Sequence, residues 1–270
     1  NPNLQQIPAR NKDLGPMIRG LFIPEENCTW GCFDYSQQEP RLVVHYAATT
    51  EPICFNESVT KIVEKFKDDS VDFHQTVADM ANISRSQAKT INLGLFYGMG
   101  KAKLQAELGL NTKQEAENLF NQYHDNVPFV RELMNRTSSF AQTSGSIGTL
   151  LGRKCRFDKW EPATFGMHTP MTLEEAERTY GRGRIRRAFT YKALNKLIQG
   201  SAADMTKKAM LDLYQEGIIP HIQIHDELDL SIESHEQAKK IIEIMENAVT
   251  LAVPNKVDYE SGQTWGDIFE

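Results

Sequence analysis

Asp34 and Asp226 are the two residues whose types and settings point most directly to chemistry. Asp34 ends a strand-like run from Trp30 to Ser36, in which Trp30, Cys32 and Asp34 lie on one face and Phe33 and Tyr35 on the other. Asp226 sits between His225 and Glu227, where Ile222 and Ile224 alternate in and Leu228, Leu230 and Ile232 alternate out, the pattern of a β-hairpin with acidic residues at its tip. If the two strands are neighbours in one sheet, these distant aspartates meet. Close carboxylates facing water repel unless cations sit between them, and hard oxygen ligands together with substrate phosphates suit Mg²⁺. A two-metal clamp activates an attacking hydroxyl and stabilises the leaving oxygen of a phosphoryl transfer. A lone aspartate at a strand end would read as a turn or cap residue, so a second feature has to carry the assignment.

That feature is a basic stripe ending on an aromatic ring, Arg85-x-x-x-Lys89-x-x-Asn92-Leu93-Gly94-x-x-Tyr97-Gly98. At about 100° per residue, Arg85, Lys89, Asn92 and Phe96 share a narrow arc, while Ala88, Ile91 and Leu95 lie opposite. The first set is expected to face a cleft and the second the core. Ser84 with Gln87 three residues on reads as a capping box, and Gly98 with Gly100 as the stop. Arginine and lysine at one end and a flat ring at the other suit a nucleoside triphosphate. The Arg-Lys pair alone would be an ordinary solvated helix face.

The elements around these residues follow from the rest of the chain. At 270 residues, 40% hydrophobic and 24% charged, it is expected to be a soluble globular protein with one large or two small cores. Acidic residues outnumber basic ones 36 to 30, a balance of −6 that alone argues against a nucleic-acid binder. Locally, however, Arg182, Arg184, Arg186, Arg187, Lys192 and Lys196 stand together without an acidic residue among them, either as a phosphate-binding surface or as a solvated basic loop. Cys28, Cys32, Cys54 and Cys155 form no Cys-x-x-Cys pair and are expected to be buried free thiols of a reducing compartment, not a zinc site. No apolar run reaches membrane-spanning length, no leader stands at the start, and the opening residues look like mid-domain sequence of a longer chain.

Ser36 with Glu39 reads as a helix start. The middle is mostly helical. Ala116, Leu119, Phe120 and Tyr123 keep helical spacing behind a Thr112-x-x-Glu115 box, and a further helix is expected from Pro128 toward Ser144. Gly145 to Arg153 reads as turn and hairpin. The stretch from Cys155 to Tyr180 reads as a long surface loop with one short helix at Leu173 to Arg178. Another helix is expected from about Ala188 to Gln215. A Ser234-x-x-Gln237 box opens one whose buried stripe is Ala238, Ile241, Ile242 and Met245, and Val257 to Glu260 reads as a closing strand. Strand, helical block, then helix, hairpin and helix make an α+β core with a helical insertion.

Three segments, in order, resemble the signature motifs of family A DNA polymerases, the DNA polymerase I type: Asp34-Tyr35-Ser36-Gln37-Gln38-Glu39-Pro40-Arg41, the Arg85 to Gly98 helix, and Gln223-Ile224-His225-Asp226-Glu227. Asn1 to Arg10 resembles the opening of that family's palm, and Asn195-x-x-x-Gln199-Gly200 its minor-groove helix. The resemblance covers nearly the whole chain apart from roughly Arg156 to Ala188. It implies an antiparallel-sheet palm (1–45 and 188–270) with an inserted helical fingers subdomain (46–187).

The resemblance also implies template-directed DNA synthesis from dNTPs on a primer-template, with nucleotidyl transfer assisted by two Mg²⁺ ions. Asp34, Asp226 and the backbone carbonyl of Tyr35 would hold the metals, with Glu227 as a supporting carboxylate. Arg85, Lys89 and His74 would grip the triphosphate, Lys89 also protonating the departing pyrophosphate, and Tyr97 would close over the nascent base pair. Glu39 would obstruct a ribose 2′-hydroxyl. Arg10, Asn195 and Gln199 would contact the minor groove, whose acceptors are shared by every base pair, and His225 would lie by the primer's 3′ end. The resemblance further implies an upstream thumb, an upstream exonuclease in many relatives, and the cytoplasm of a bacterium or phage-infected cell.

Gln38 and Pro40 depart from the aliphatic residues usual in the family, and Leu93 replaces an aromatic residue expected to pack on the nucleotide sugar. The segment from Cys155 to Tyr180 and Tyr191-Lys192-Ala193-Leu194-Asn195 look phage-like. A single-subunit RNA polymerase is the nearest rival, disfavoured by Glu39 and by the Asp226-Glu227 pair. A non-catalytic nucleic-acid-binding remnant is the rival from another class, disfavoured by the intact Asp34, Asp226, Arg85 and Lys89.

Overall fold

Thr29–Tyr35 forms a strand, β1, buried on both faces from Trp30 to Phe33, in the interior of a four-stranded antiparallel sheet. The computed structural model describes residues 7, 11–68, 71–96, 101–164 and 166–268, the side chains of Leu93, Leu95, Phe96 and Lys101 excepted. The expectations for Arg10, for Tyr97, Gly98 and Gly100, and for the Leu93 side chain lie outside the described residues. The chain divides into two compact units, residues 1–41 with 202–270, and residues 42–201.

The first unit holds helix α1 (Leu14–Arg19), β1, the first turn of α2 (Gln38–Thr49), most of α10 (Ala193–Gln215), strands β6 (Ile222–Ile224) and β7 (Glu227–Ile232), α11 (His235–Asn247) and β8 (Val257–Gly262). The strand order is β6-β7-β1-β8. One sheet face carries Phe33, Tyr35, Leu228 and Leu230, all buried. It is covered by α11, whose Ala238, Ile241 and Met245 are buried and whose Met245 carbonyl accepts a 2.6 Å hydrogen bond from the Tyr35 hydroxyl. The other face starts apolar, with Trp30, Ile222 and Trp265 packed together, and ends acidic. Ser234 caps α11 as expected, its hydroxyl accepting from the Gln237 amide.

The second unit is mainly helical: α3 (Glu57–Lys65), α4 (Phe73–Ala81), α5 (Arg85–Phe96), α6 (Lys101–Glu107), α7 (Lys113–Asn126), α8 (Pro128–Ser144) and α9 (Leu173–Tyr180). Local signals set their ends. Asp72 caps α4, the Ser84 and Gln87 side chains bond reciprocally to each other's backbone N–H at the start of α5, and Thr112 with Glu115 forms a capping box on α7. Proline at the first position and a left-handed Gly145 at the end bound α8. Strands β2 (Ser146–Gly148) and β3 (Lys154–Arg156) make the expected hairpin.

Four local expectations need correction. Helix α2 starts at Gln38, not Ser36, because Gln37 takes a positive φ of 54° and breaks the chain direction after the strand. The stretch from Cys155 to Tyr180 is not all loop and helix. Besides the end of β3 it contains β4 (Trp160–Pro162), which pairs with β5 (Ile185–Arg187), a partner too distant for local patterning to reveal. Strand β5 and a short 3₁₀ turn at Thr190–Lys192 occupy the expected start of the long helix, so α10 begins at Ala193. All four cysteines are free, but only Cys32 is buried; Cys28, Cys54 and Cys155 are partly exposed. Among the described residues no helix is long and apolar enough to cross a membrane.

Candidate active site

In the first unit the sheet register does what the two strand patterns required. Strands β1 and β7 are antiparallel neighbours with Asp34 opposite Glu227, and the Tyr35 N–H donates to the Asp226 carbonyl at 3.4 Å. Asp34 and Asp226 therefore stand at the same end of the sheet. Asp226 lies in the turn between β6 and β7, whose first residue, His225, has a positive φ of 53°. The Gln223 amide clamps that turn by donating to the His225 carbonyl at 2.6 Å.

Opposite residues in an antiparallel sheet share a face, so the register defines rows. One row runs Asp258, Asp34, Glu227, and the next Glu260, Cys32, Asp229. Five carboxylates thus line one end of a single sheet face, with Asp226 beside them on the turn. Burial pushes Asp226 above the ordinary carboxylate range. Glu227 is pushed up to about 8, first by burial and then by the Asp229 carboxylate, and Asp229, wholly buried, to about 6, chiefly by burial. Crowded carboxylates hold protons because the alternative is unscreened like charge in a poorly solvated place. Divalent cations relieve that repulsion, and Asp34, Asp226 and the Tyr35 carbonyl offer the hard oxygens that Mg²⁺ takes, so the donor set fits the metal expected from sequence.

The sequence did not reveal who supports these residues. Arg41, almost wholly buried, donates to the Ser36 carbonyl at 2.8 Å and to the Pro254 carbonyl at 2.6 Å, locking the segment after Asp34 in place. The unexpected Gln38 is buried and donates to the Thr206 hydroxyl at 3.3 Å, so a polar residue is satisfied where an aliphatic one was expected. Pro40 falls in the first turn of α2, where no intrahelical N–H is lost. Glu39 precedes it, partly exposed. Asp229, Asp258 and Cys32 also escaped assignment, because cross-strand partners show no signal in one strand's own pattern.

In the second unit Arg85 and Lys89 project from α5 and are exposed, one turn apart. Arg85 is held by Asp72, with hydrogen bonds of 2.8 and 2.6 Å to one carboxylate oxygen. The same carboxylate caps α4, accepting from the Gln75 N–H at 3.0 Å. His74, on α4, lies 3.0 Å through Nδ1 from the Asn92 amide nitrogen. Burial holds its imidazole below the usual value, Asp72 opposing and Lys89 and Arg85 reinforcing the shift. His74 therefore stands within electrostatic reach of both Arg85 and Lys89, which favour its neutral form.

Asn92 departs from its expected place on the cleft-facing arc. It is fully buried, and its amide oxygen accepts from the Tyr123 hydroxyl at 2.5 Å. Helix α7 packs where the sequence expected open cleft, so Asn92 joins α4, α5 and α7 internally. Asn195 and Gln199 both lie on α10, Asn195 partly buried and Gln199 exposed. Gly200 beside them admits the β2–β3 turn: a Cβ there would stand 2.5 Å from the Thr149 methyl. Three of the six residues of the basic stretch have ion-pair or hydrogen-bond partners within the protein. Arg182 pairs with Glu177 and Arg186 with Glu161, while Arg187 bonds the Phe157 carbonyl and stacks on Trp160.

Comparison with known proteins gives the class. The model of DNA polymerase family A matches residues 1–267, and the chain belongs to that family. It is 35% identical, over 98% of its length, to a DNA-directed DNA polymerase of Pseudomonas phage M6 and likewise to DNA polymerase I of Geobacillus stearothermophilus. It spans 42% and 29% of those relatives. Among solved structures it is similar to the POL domain of Pol1 from M. smegmatis in complex with DNA primer-template and dNTP, at 28% identity and a TM-score of 0.76, covering 98% of this chain and 45% of that one. The mixed helical and antiparallel-sheet architecture is the one expected from sequence.

Proposed function

We propose that this chain carries out template-directed DNA synthesis, as the polymerase portion of a longer bacterial or phage enzyme working in the cytoplasm. The observation that carries the proposal is the register of β1 and β7, which brings Asp34 and Asp226 to one end of one acidic sheet face in a chain of this family. The palm is assigned to residues 1–45 and 188–270 and the fingers to 46–187, as expected from sequence, while the compact units divide at residues 41 and 201.

In the reaction the primer 3′-oxygen forms a bond to the α-phosphorus of a dNTP as the bond from that phosphorus to the pyrophosphate oxygen breaks. Two Mg²⁺ ions, held by Asp34, Asp226 and the Tyr35 carbonyl, supply charge neutralisation for the entering and leaving oxygens when bound. Glu227 supports them at the sheet end. Arg85, Lys89 and His74 bind the triphosphate, for which Arg85 must exchange its Asp72 partner. Lys89 donates a proton to the departing pyrophosphate. Glu39 excludes a 2′-hydroxyl, Leu93 and Tyr97 contact the sugar and base, Arg10, Asn195 and Gln199 follow the minor groove, and His225 stands by the primer terminus.

Single-nucleotide primer extension at low salt, with protein in excess over primer-template, tests this. The expected result is Mg²⁺-dependent addition of the templated dNTP, preferred over the ribonucleotide and abolished by Asp226→Asn. A preference for ribonucleotides, or full activity in Asp226→Asn, overturns it.

A further inference from the structure

One row behind Asp34, the buried end of the acidic face holds a second cluster, of whose members only Glu227 is assigned to nucleotidyl transfer. The Cys32 sulfur and carboxylate oxygens of Glu227 and Asp229 all lie within 4.8 Å of one another. Cys32 and Asp229 are directly opposite across β1 and β7, and Glu227 is two residues along β7 on the same face. Asp229 is 0% exposed, and neither of its carboxylate oxygens makes a well-formed hydrogen bond, the donors that face it being the Cys32 thiol and the Glu227 carboxyl of the same cluster.

A buried carboxylate without a donor is among the least tolerable groups in a folded core, and native structures pair such groups or give them to metals. Arg19, whose charge acts on this cluster, lies over the Trp265 ring at 4.3 Å, and its Nε is buried and unpaired. Beyond the thiol and the carboxyl of its own cluster, the protein therefore gives the carboxylate no hydrogen-bond donor. One thiol and two carboxylates converging on a small volume are what a borderline divalent metal takes. Ligands of tetrahedral zinc stand roughly 3.3–3.8 Å apart, so the three groups need only a small contraction to share an ion. The thiol excludes Mg²⁺ as the preferred guest, since hard cations select oxygen alone.

We propose that Cys32, Glu227 and Asp229 form a binding site for a thiophilic divalent cation of the Zn²⁺ class, separate from the Asp34–Asp226 end of the sheet and sharing Glu227 with it. The fourth coordination position is left to water on the partly exposed Glu227 side. Such an ion ties β1 to β7 directly behind the residues assigned to nucleotidyl transfer, and fixes where Glu227 points.

Cobalt(II) is the probe, added to the metal-free 270-residue chain in excess Mg²⁺ so that hard oxygen sites are already filled. The expected result is a near-ultraviolet thiolate-to-cobalt charge-transfer band that saturates at one ion per chain. Cys32→Ser abolishes the band, Asp229→Asn weakens cobalt affinity about tenfold or more, and Asp34→Asn leaves the band in place. Absence of the band in the parent, or its survival in Cys32→Ser, overturns the proposal. Should Cys32→Ser fail to fold, Asp229→Asn keeps the side-chain shape and decides the matter: unchanged cobalt affinity rules the site out. The readout is spectroscopic, so it stands or falls independently of primer extension.

Discussion

The acidic sheet and the basic helices hold the groups proposed for catalysis by different means. Asp34, Asp226 and Glu227 are placed by backbone pairing, through the β1–β7 register and the Tyr35 to Asp226 hydrogen bond. Arg85 and His74 are placed by side chains, through Asp72 and through the Asn92–Tyr123 link to α7. A substitution in the sheet therefore changes charge and leaves geometry, whereas one in the helical layer changes geometry as well. The first arrangement suits a fixed metal platform, and the second a grip that must exchange partners.

The largest effect that separates the two is expected from Asp34→Asn and Asp226→Asn. Each should lower single-nucleotide incorporation by on the order of 10³-fold. Neither should lower the thermal midpoint of the metal-free chain, because removing one charge from a crowded acidic face relieves repulsion. A calorimetric loss of stability would show that these side chains also build the sheet. Arg85→Ala should cost about 10–100-fold in kcat/KM for dNTP. Asp72→Asn should act in the opposite sense, lowering the dNTP KM about two- to fivefold as Arg85 loses a competing charged partner while the α4 cap acceptor remains. A raised KM would mean that Asp72 positions Arg85 productively.

Smaller effects fall on stability and should appear only in the helical layer. Tyr123→Phe leaves the buried Asn92 oxygen without its donor and should cost about 1–3 kcal/mol in denaturant unfolding. His124 is buried with both ring nitrogens unpaired, and burial, helped by Arg131, lowers its pKa from 6.5 to about 4. Protonation is thus easier in the unfolded chain, so the contribution of neutral His124 is complete above about pH 6.5 and is lost as pH falls toward 4. His124→Leu should flatten the acid limb of the stability profile by on the order of 2 kcal/mol. An unchanged slope would place the acid sensitivity elsewhere.

Legibility in the sequence followed the range of the interactions. The capping box at Thr112, the cap at Ser234, the helix from Pro128 to Ser144 and the hairpin around Asp226 are readable because their causes lie within a few residues. The β4–β5 ribbon was not, since Trp160 and Arg187 are separated by a helix and pair only after the chain returns. Asn92 was misplaced for a related reason: helical periodicity assigns it to an arc, but only the packing of α7 decides that this part of the arc is interior. Arg186 reads as available for phosphate in the sequence, and only the β4–β5 pairing brings Glu161 to it.

The sequence by itself determined the two aspartates, the basic helix and the α+β order of elements, because periodicity, turns and motif spacing are local quantities. Tertiary structure alone decided which carboxylates share a row, which arginines are already paired, and that Cys32 faces a buried Asp229. Register between strands distant in the chain is set by the packing of whole faces, and no single segment carries that information.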